Sequence, residues 1–205
     1  MKFALTPLAA ATMLVLVAVT PIAHAADDVW VLRFGAHVVA PKSDNGQLAG
    51  MRSSIDNDTK PTASIEYLFT PNLGAEVLVA LPFQHDISLN GTRLASTKQL
   101  PPVIGVNYHF MPENTVSPFL GVGINFTHFY DSKGQGALSG SHITIDNSWG
   151  GALHAGLDVK INENWMFTAD VRWINIESDV HLNGVKIGKA KVDPLAYGLS
   201  LAYRF

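Results

Sequence analysis

Leu195-Ala196-Tyr197-Gly198-Leu199-Ser200-Leu201-Ala202-Tyr203-Arg204-Phe205 decides the fold. Leu195, Tyr197, Leu199, Leu201, Tyr203 and Phe205 fall on one face of an extended chain, and Gly198, Ser200 and Arg204 on the other. That period of two is the signature of a strand. A strand with one uniformly apolar face and one small or charged face, ending on an aromatic, suits the closing strand of an outer-membrane β-barrel. There the apolar face meets lipid, the mixed face lines a lumen, and closure leaves no free edge. Phe205 is then expected to act as a barrel-closure signal in assembly.

The same alternation recurs in seven earlier segments. The first, near Trp30 to Val39, sets Trp30, Leu32, Phe34, Ala36 and Val38 against Arg33, Gly35 and His37. The second, about Thr62 to Phe69, sets Ala63, Ile65, Tyr67 and Phe69 against Ser64, Glu66 and Leu68. The third sets Leu73, Ala75, Val77, Val79 and Leu81 against Glu76 and Leu78, and the fourth sets Ile104, Val106, Tyr108 and Phe110 against Gly105, Asn107 and His109. The fifth carries Leu120, Val122, Ile124, Phe126 and Tyr130; the sixth opposes Trp149, Leu153, Leu157 and Ile161 to Gly150, His154 and Asp158; the seventh opposes Trp165, Phe167, Val171 and Trp173 to Asp170 and Arg172. Tight turns at 70–72, 112–114 and 162–164 alternate with loops expected at 41–58, 82–100, 131–141 and around 182–186. Short turns on one side and long loops on the other are the membrane-barrel arrangement, so the reading is all-β, an eight-stranded antiparallel transmembrane barrel.

The start of the chain reads as a secretory signal. Lys2, an apolar stretch from Leu8 to Val19, Pro21 and then Ala23-His24-Ala25 predict cleavage after residue 25, with the barrel spanning 26–205. The apolar stretch is well short of the roughly 20 residues a spanning helix needs. Leaving out Lys2, 13 basic side chains face 17 acidic ones, which is no footprint for nucleic acid. Cysteine is absent, which excludes disulfides and thiolate chemistry. A lipocalin-type barrel would be apolar inside, whereas here Arg33, Glu66, Glu76, Asp158, Asp170, Arg172 and Arg204 share the mixed face. Trp30, Tyr67, Tyr108, Trp165, Trp173, Tyr197 and Tyr203 lie near strand ends on the apolar face, where aromatic girdles form.

Three constellations invite chemistry. His37, His109 and His154 face the expected lumen from separate strands without a ligand-spaced pair, so interior imidazoles are expected rather than a metal. Ser148, His142 and Asp146 lie close in sequence, but no strained nucleophile turn surrounds Ser148, so no enzyme is expected and no cofactor is implied. Asp170 and Arg172 are neighbours on one strand face. With Arg33, Glu66, Glu76, His109, His154 and Asp158 they form either a selectivity-setting network or a structural plug of salt bridges.

Several stretches together resemble the OmpW family. They are Asn72 to Leu78, Leu81-Pro82-Phe83-Gln84-His85-Asp86, Leu100-Pro101-Pro102, Pro118 to Phe126, Asn147-Ser148-Trp149-Gly150, Asn164-Trp165, and Asp193-Pro194 through Tyr203-Arg204-Phe205. The resemblance implies a monomeric, multi-pass barrel of the Gram-negative outer membrane, with a narrow porin-like channel for transport of small hydrophobic compounds. It also implies partners: outer-membrane lipids, small hydrophobic solutes, the barrel-insertion machinery and, for some members, phage or bacteriocins. In the family an apolar pair from the third and seventh strands constricts the lumen. The first position falls on Leu78 and the second on Arg172, so a mixed constriction of Leu78, Arg172 and the adjacent Asp170 is expected. Leu48, Met51, Ile143 and Leu182 offer apolar contact at loop tips. The alternative function is a structural, receptor or adhesive barrel with a plugged lumen.

Overall fold

The computed structural model describes residues 30–205; the signal segment lies outside them. Strands β1 (Trp30–Ala40), β2 (Gln47–Leu48), β3 (Met51–Ile55), β4 (Asp58–Thr70) and β5 (Leu73–Ala80) come first. Next are β6 (Phe83–Leu89), β7 (Thr92–Leu100), β8 (Val103–His109), β9 (Val116–Gly134) and β10 (Ile143–Ile145). The chain finishes with β11 (Ser148–Lys160), β12 (Trp165–Ile174), β13 (Glu177–Leu182), β14 (Val185–Lys191) and β15 (Leu195–Arg204).

Eight of these close a barrel. β1 pairs antiparallel with both β4 and β15, and the ring runs on through β5, β8, β9, β11 and β12 back to β15. Register follows the alternation: Phe34 opposes Leu201 and Ala36 opposes Leu199, so apolar rows share the outside. Trp30 and Phe205 exchange backbone hydrogen bonds at 3.1 and 3.0 Å, fastening the last residue to the first strand. On the outer surface Ile104 is 64% exposed and Trp149 72%, values expected of lipid-facing side chains. Aromatic pairs ring the short-turn end, with Trp30 on Tyr67 and Trp165 on Tyr203, each at 4.8 Å.

The expected loops are largely sheet. At 41–58, 82–100 and around 182–186 the chain makes hairpins instead, each closed by two residues with positive φ: Ala49 and Gly50, Asn90 and Gly91, Asn183 and Gly184. Two consecutive positive φ angles define the type I′ turn, whose twist matches that of paired strands, and Asn-Gly is its preferred sequence. The segment 131–141 is also partly regular, because β9 continues to Gly134 and a 3-10 turn covers Gly136–Leu138. Strands β10, β13, β14, β2, β3, β6, β7 and the upper part of β9 then follow one another as a wall above the barrel. The 19 residues of β9 span roughly 60 Å along the strand. At a tilt of about 40° they rise roughly 45 Å, against an apolar band of about 25 Å.

Inward side chains stack in layers. Val31, Leu68, Met166 and Ala202 close the short-turn end. Charged residues come next, followed by an apolar layer of Val103, Phe129, Ala152, Ile174, Ile176 and Val192. Leu48, Ile87, Leu89, Ala95, Ile143, Val180 and Ala190 pack together inside the upper wall.

Candidate functional site: charged lumen and apolar vestibule

Glu66 and Glu76 oppose each other across the β4–β5 ladder, an unfavourable juxtaposition unless cations intervene. They do. Arg33 donates to Glu66 Oε2 at 2.6 Å and to Asp158 Oδ2 at 3.0 Å, tying β1 to β4 and across the lumen to β11. Arg172 donates through Nη2 to both Glu76 oxygens, at 3.0 and 2.8 Å. Asn107 on β8 donates to Glu66 at 3.0 Å and Glu76 at 3.2 Å, and Thr168 donates to Asp158 at 2.5 Å.

The imidazoles complete the set. His109 Nε2 lies 2.9 Å from Glu66 Oε1, and its Nδ1 lies 3.6 Å from Asp158. His37 and His154 take one oxygen each of Asp170, at 3.0 and 3.1 Å. Phe119 sits between His109 and His154, with ring centroids 5.2 and 4.8 Å away, and the Arg33 guanidinium lies over the same ring. These ionisable side chains are all 7% exposed or less. Buried charges persist only when paired and hydrogen-bonded; every carboxylate of the array meets that condition, while Arg33 and Arg172 each pair through their terminal nitrogens and leave Nε without a hydrogen-bond partner.

The three residues of the expected constriction occupy successive levels. Leu78 packs against the apolar layer above the charges, and Arg172 lies just below it on Glu76. Asp170 approaches the Arg172 Nε only to 3.6 Å, because its oxygens are engaged by the two histidines. Asn107, Thr62, Thr168 and Phe119 were not singled out by sequence reasoning. Their inward position in the alternation was the available signal.

Ser148, His142 and Asp146 are not brought together as a triad. Ser148 is buried and accepts from the Glu177 N–H at 3.2 Å, Asp146 pairs with His181, and His142 is exposed. Leu48 and Ile143, expected at loop tips, are buried in the upper apolar cluster, with Met51 and Leu182 packed against it. Two-residue turns fold each hairpin inward and place these side chains on the inner face. The cluster surrounds a cavity of about 20 Å³ lined by Leu48, Ile87, Leu89, Leu94, Ile143 and Val180 among other apolar side chains. Below it His85 is buried, with Nδ1 donating to Asp56 O at 2.7 Å and Nε2 accepting from Gln99 at 3.0 Å. Burial holds this ring below its ordinary pKa.

The wall is interrupted beside Leu78. The β5–β8 ladder stops at Leu78 and Val103, and the two residues preceding Val103, Pro101 and Pro102, have no N–H to continue it. Val79 and Ala80 remain paired only with β4.

A closed eight-stranded barrel with this layered interior can be set beside known proteins. The OmpW family model matches residues 28–205. The chain belongs to the OmpW family. "Outer membrane protein W" of Vibrio cholerae is 32% identical over 198 residues, covering 89% of this chain and 91% of that protein. The crystal structure of OprG from Pseudomonas aeruginosa superposes with a TM-score of 0.75 at 27% identity, covering 87% of this chain and 97% of that one. A more distant relative, the "Dibenzothiophene metabolism operon protein PahQ" of Pseudomonas aeruginosa, is 25% identical over 189 residues, covering 86% and 88%. Membership and closed barrel together place this OmpW-family protein in the outer membrane, with the apolar strand faces in lipid.

Proposed function

We propose that this OmpW-family barrel is a passive conduit for small apolar molecules. They enter through the apolar vestibule formed by the hairpins and leave sideways at the wall interruption rather than along the lumen axis. The observation that carries this reading is the contrast between the two compartments. The upper one is lined by aliphatic side chains, and the lower one is filled by paired charges that an apolar solute has no means of displacing. Burial of apolar solute surface favours entry by roughly 25 cal/mol per Å² without any energy source. The cavity of about 20 Å³ is far below the roughly 300 Å³ and more of ligand pockets, so entry requires the hairpins to part. A relative named for a dibenzothiophene operon supports an apolar solute class.

Uptake of dibenzothiophene by cells that lack or carry the protein tests the proposal. Carriage is expected to raise the initial rate several-fold, and Ile87→Asp or Leu89→Asp to abolish the gain while the barrel stays heat-modifiable. Equal rates with and without the protein would leave the filled, purely structural barrel as the better reading.

A further inference from the structure

The lumen charges form two clusters with the same guanidinium and carboxylate count and different numbers of histidines. The lower one has Arg33 with Glu66, Asp158 and His109; the upper one has Arg172 with Glu76, Asp170, His37 and His154. Each has one guanidinium and two carboxylates. With every imidazole neutral, each cluster carries an unbalanced negative charge in a compartment that excludes bulk water, which is strongly unfavourable. One proton on one imidazole per cluster restores neutrality.

Hydrogen-bond geometry independently selects the imidazoles. His109 presents Nε2 to Glu66 Oε1 at 2.9 Å and Nδ1 to Asp158 Oδ2 at 3.6 Å, so both ring nitrogens face oxygens that only accept. His154 presents Nε2 to Asp170 Oδ2 at 3.1 Å and Nδ1 to Asn107 Oδ1 at 3.2 Å and Glu76 Oε2 at 3.5 Å. The Asn107 orientation is fixed because its Nδ2 donates to Glu66 and Glu76. A neutral ring would turn a lone pair toward an acceptor in both cases. His37 differs: Nε2 meets Asp170 at 3.0 Å, but Nδ1 meets the Thr62 hydroxyl at 2.6 Å, which is able to donate.

We propose that His109 and His154 are imidazolium ions and His37 is neutral, so that the lumen plug holds two exchangeable protons and is electrically balanced only while it holds them. Every strand facing the clusters enters this count. β1 brings Arg33 and His37, β4 Glu66, β5 Glu76, β8 His109, β11 His154 and Asp158, and β12 Asp170 and Arg172; β9 brings Ser117 and Phe119, and β15 Gly198 and Ser200. Lys160 and Arg204 lie at the short-turn mouth and are partly exposed rather than buried with the clusters. There they line a cavity of about 30 Å³ together with His109 and Asp158, enough space for a water molecule. The apolar layer of Leu78, Val103 and Ile174 closes the other side. Protons therefore exchange from the short-turn end, the periplasmic side in barrels of this kind. As pH rises they leave, the carboxylates repel one another, and the plug loosens and attracts cations.

The test is solid-state NMR of the full barrel in bilayers, labelled with ¹⁵N-histidine, at pH 7. The signals that disappear in His109→Gln and His154→Gln are expected to come from rings protonated at both nitrogens, and the His37 signal from a ring protonated at Nε2 alone. Neutral rings at both His109 and His154 would overturn the assignment. Should the single variants fail to fold, His109→Gln/Asp158→Asn balances the lower cluster without a proton. The wild type is expected to lose folded fraction and gain cation conductance several-fold between pH 6 and 9, and the double variant to show about half that change. A wild type whose fold and conductance ignore pH across this range would also overturn the proposal.

Discussion

Replacing Arg172 with Met tests whether the plug is held by charge pairing. The Arg172 side chain is 5% exposed and that of Glu76 3%, with donor-acceptor distances of 3.0 and 2.8 Å. At an effective dielectric near 20, a unit pair at that separation attracts by about 6 kcal/mol before desolvation is counted. Truncating one partner of a buried pair leaves the other charge stranded, at about 3–5 kcal/mol. Glu76 keeps Asn107 at 3.2 Å and His154 at 3.5 Å, which favours the lower half of that range. We therefore expect Arg172→Met to destabilise the barrel by about 3 kcal/mol, and Arg172→Met/Glu76→Gln to recover all but about 1 kcal/mol, because no charge is then left unpaired. Urea titration of the barrel in lipid vesicles provides the measurement. It is followed by tryptophan fluorescence, since Trp30, Trp149, Trp165 and Trp173 all face outward. A loss below about 1 kcal/mol for the single variant, or a double variant worse than the single, would refute the reasoning.

A charge on the lipid face should behave differently from one in the lumen: Leu199→Arg, at mid-strand on β15, is expected to destabilise folding in bilayers by about 2–4 kcal/mol, and stability equal to wild type would place that face away from lipid. At Gly35 an added Cβ would press on Leu199 O and Ser200 Cα of the neighbouring strand, so Gly35→Ala should lower stability by about 1–3 kcal/mol and slow barrel closure, read as a reduced heat-modifiable fraction. His85 is buried in its neutral form and its folded pKa lies below the ordinary 6.5. Its contribution is present above that value and lost as pH falls through the folded pKa, so the Phe83–Gln99 pairing should weaken on acidification, as followed by its amide NMR signals; a His85 ring titrating at or above 6.5 would contradict this. Asp58 is likewise held below its usual range, by the Gln84 and Thr59 N–H groups and Lys60, which offset its partial burial. The β4–β6 contact it makes with the Gln84 N–H should persist above about pH 4 and loosen below it, measured as loss of the Gln84 amide resonance.

The outer surface was legible because lipid imposes a single requirement, apolarity, at every second residue. Phe34, Ile65, Val77, Ile104, Val122, Leu153, Phe167 and Leu199 all obey it, and the outward faces follow from counting. The inward residues were legible as a set but not as partners. Asp170 and Arg172 are neighbours in sequence, yet Arg172 turns across the lumen to Glu76, 96 positions earlier, while Asp170 takes His37 and His154. Period tells which face a side chain is on; pairing depends on stagger and barrel diameter, which no local pattern encodes. The hairpins above the membrane carried their own signals in Asn90-Gly91 and Asn183-Gly184, flanked by residues that pair across the turn. Ala49-Gly50 had no such signal, since Ala at positive φ is disfavoured and tertiary packing of Leu48 and Met51 must hold it.

The two interiors use different physics for different ends. In the upper wall the hairpins carry aliphatic side chains whose mutual attraction is non-directional, so displacing that packing strands no charge, although backbone bonds such as Ala49 N–H to Ile187 O also join the hairpins. In the lumen each carboxylate is met by directional bonds from two strands: Glu66 from β1 and β8, Glu76 from β8 and β12, Asp158 from β1 and β12, Asp170 from β1 and β11. Opening that level for a solute would break several such bonds at once and strand the charges. On the proposed reading, an opening that admits an apolar molecule belongs at the level of Leu78 and above, where Pro101 and Pro102 leave the β5–β8 ladder unmade.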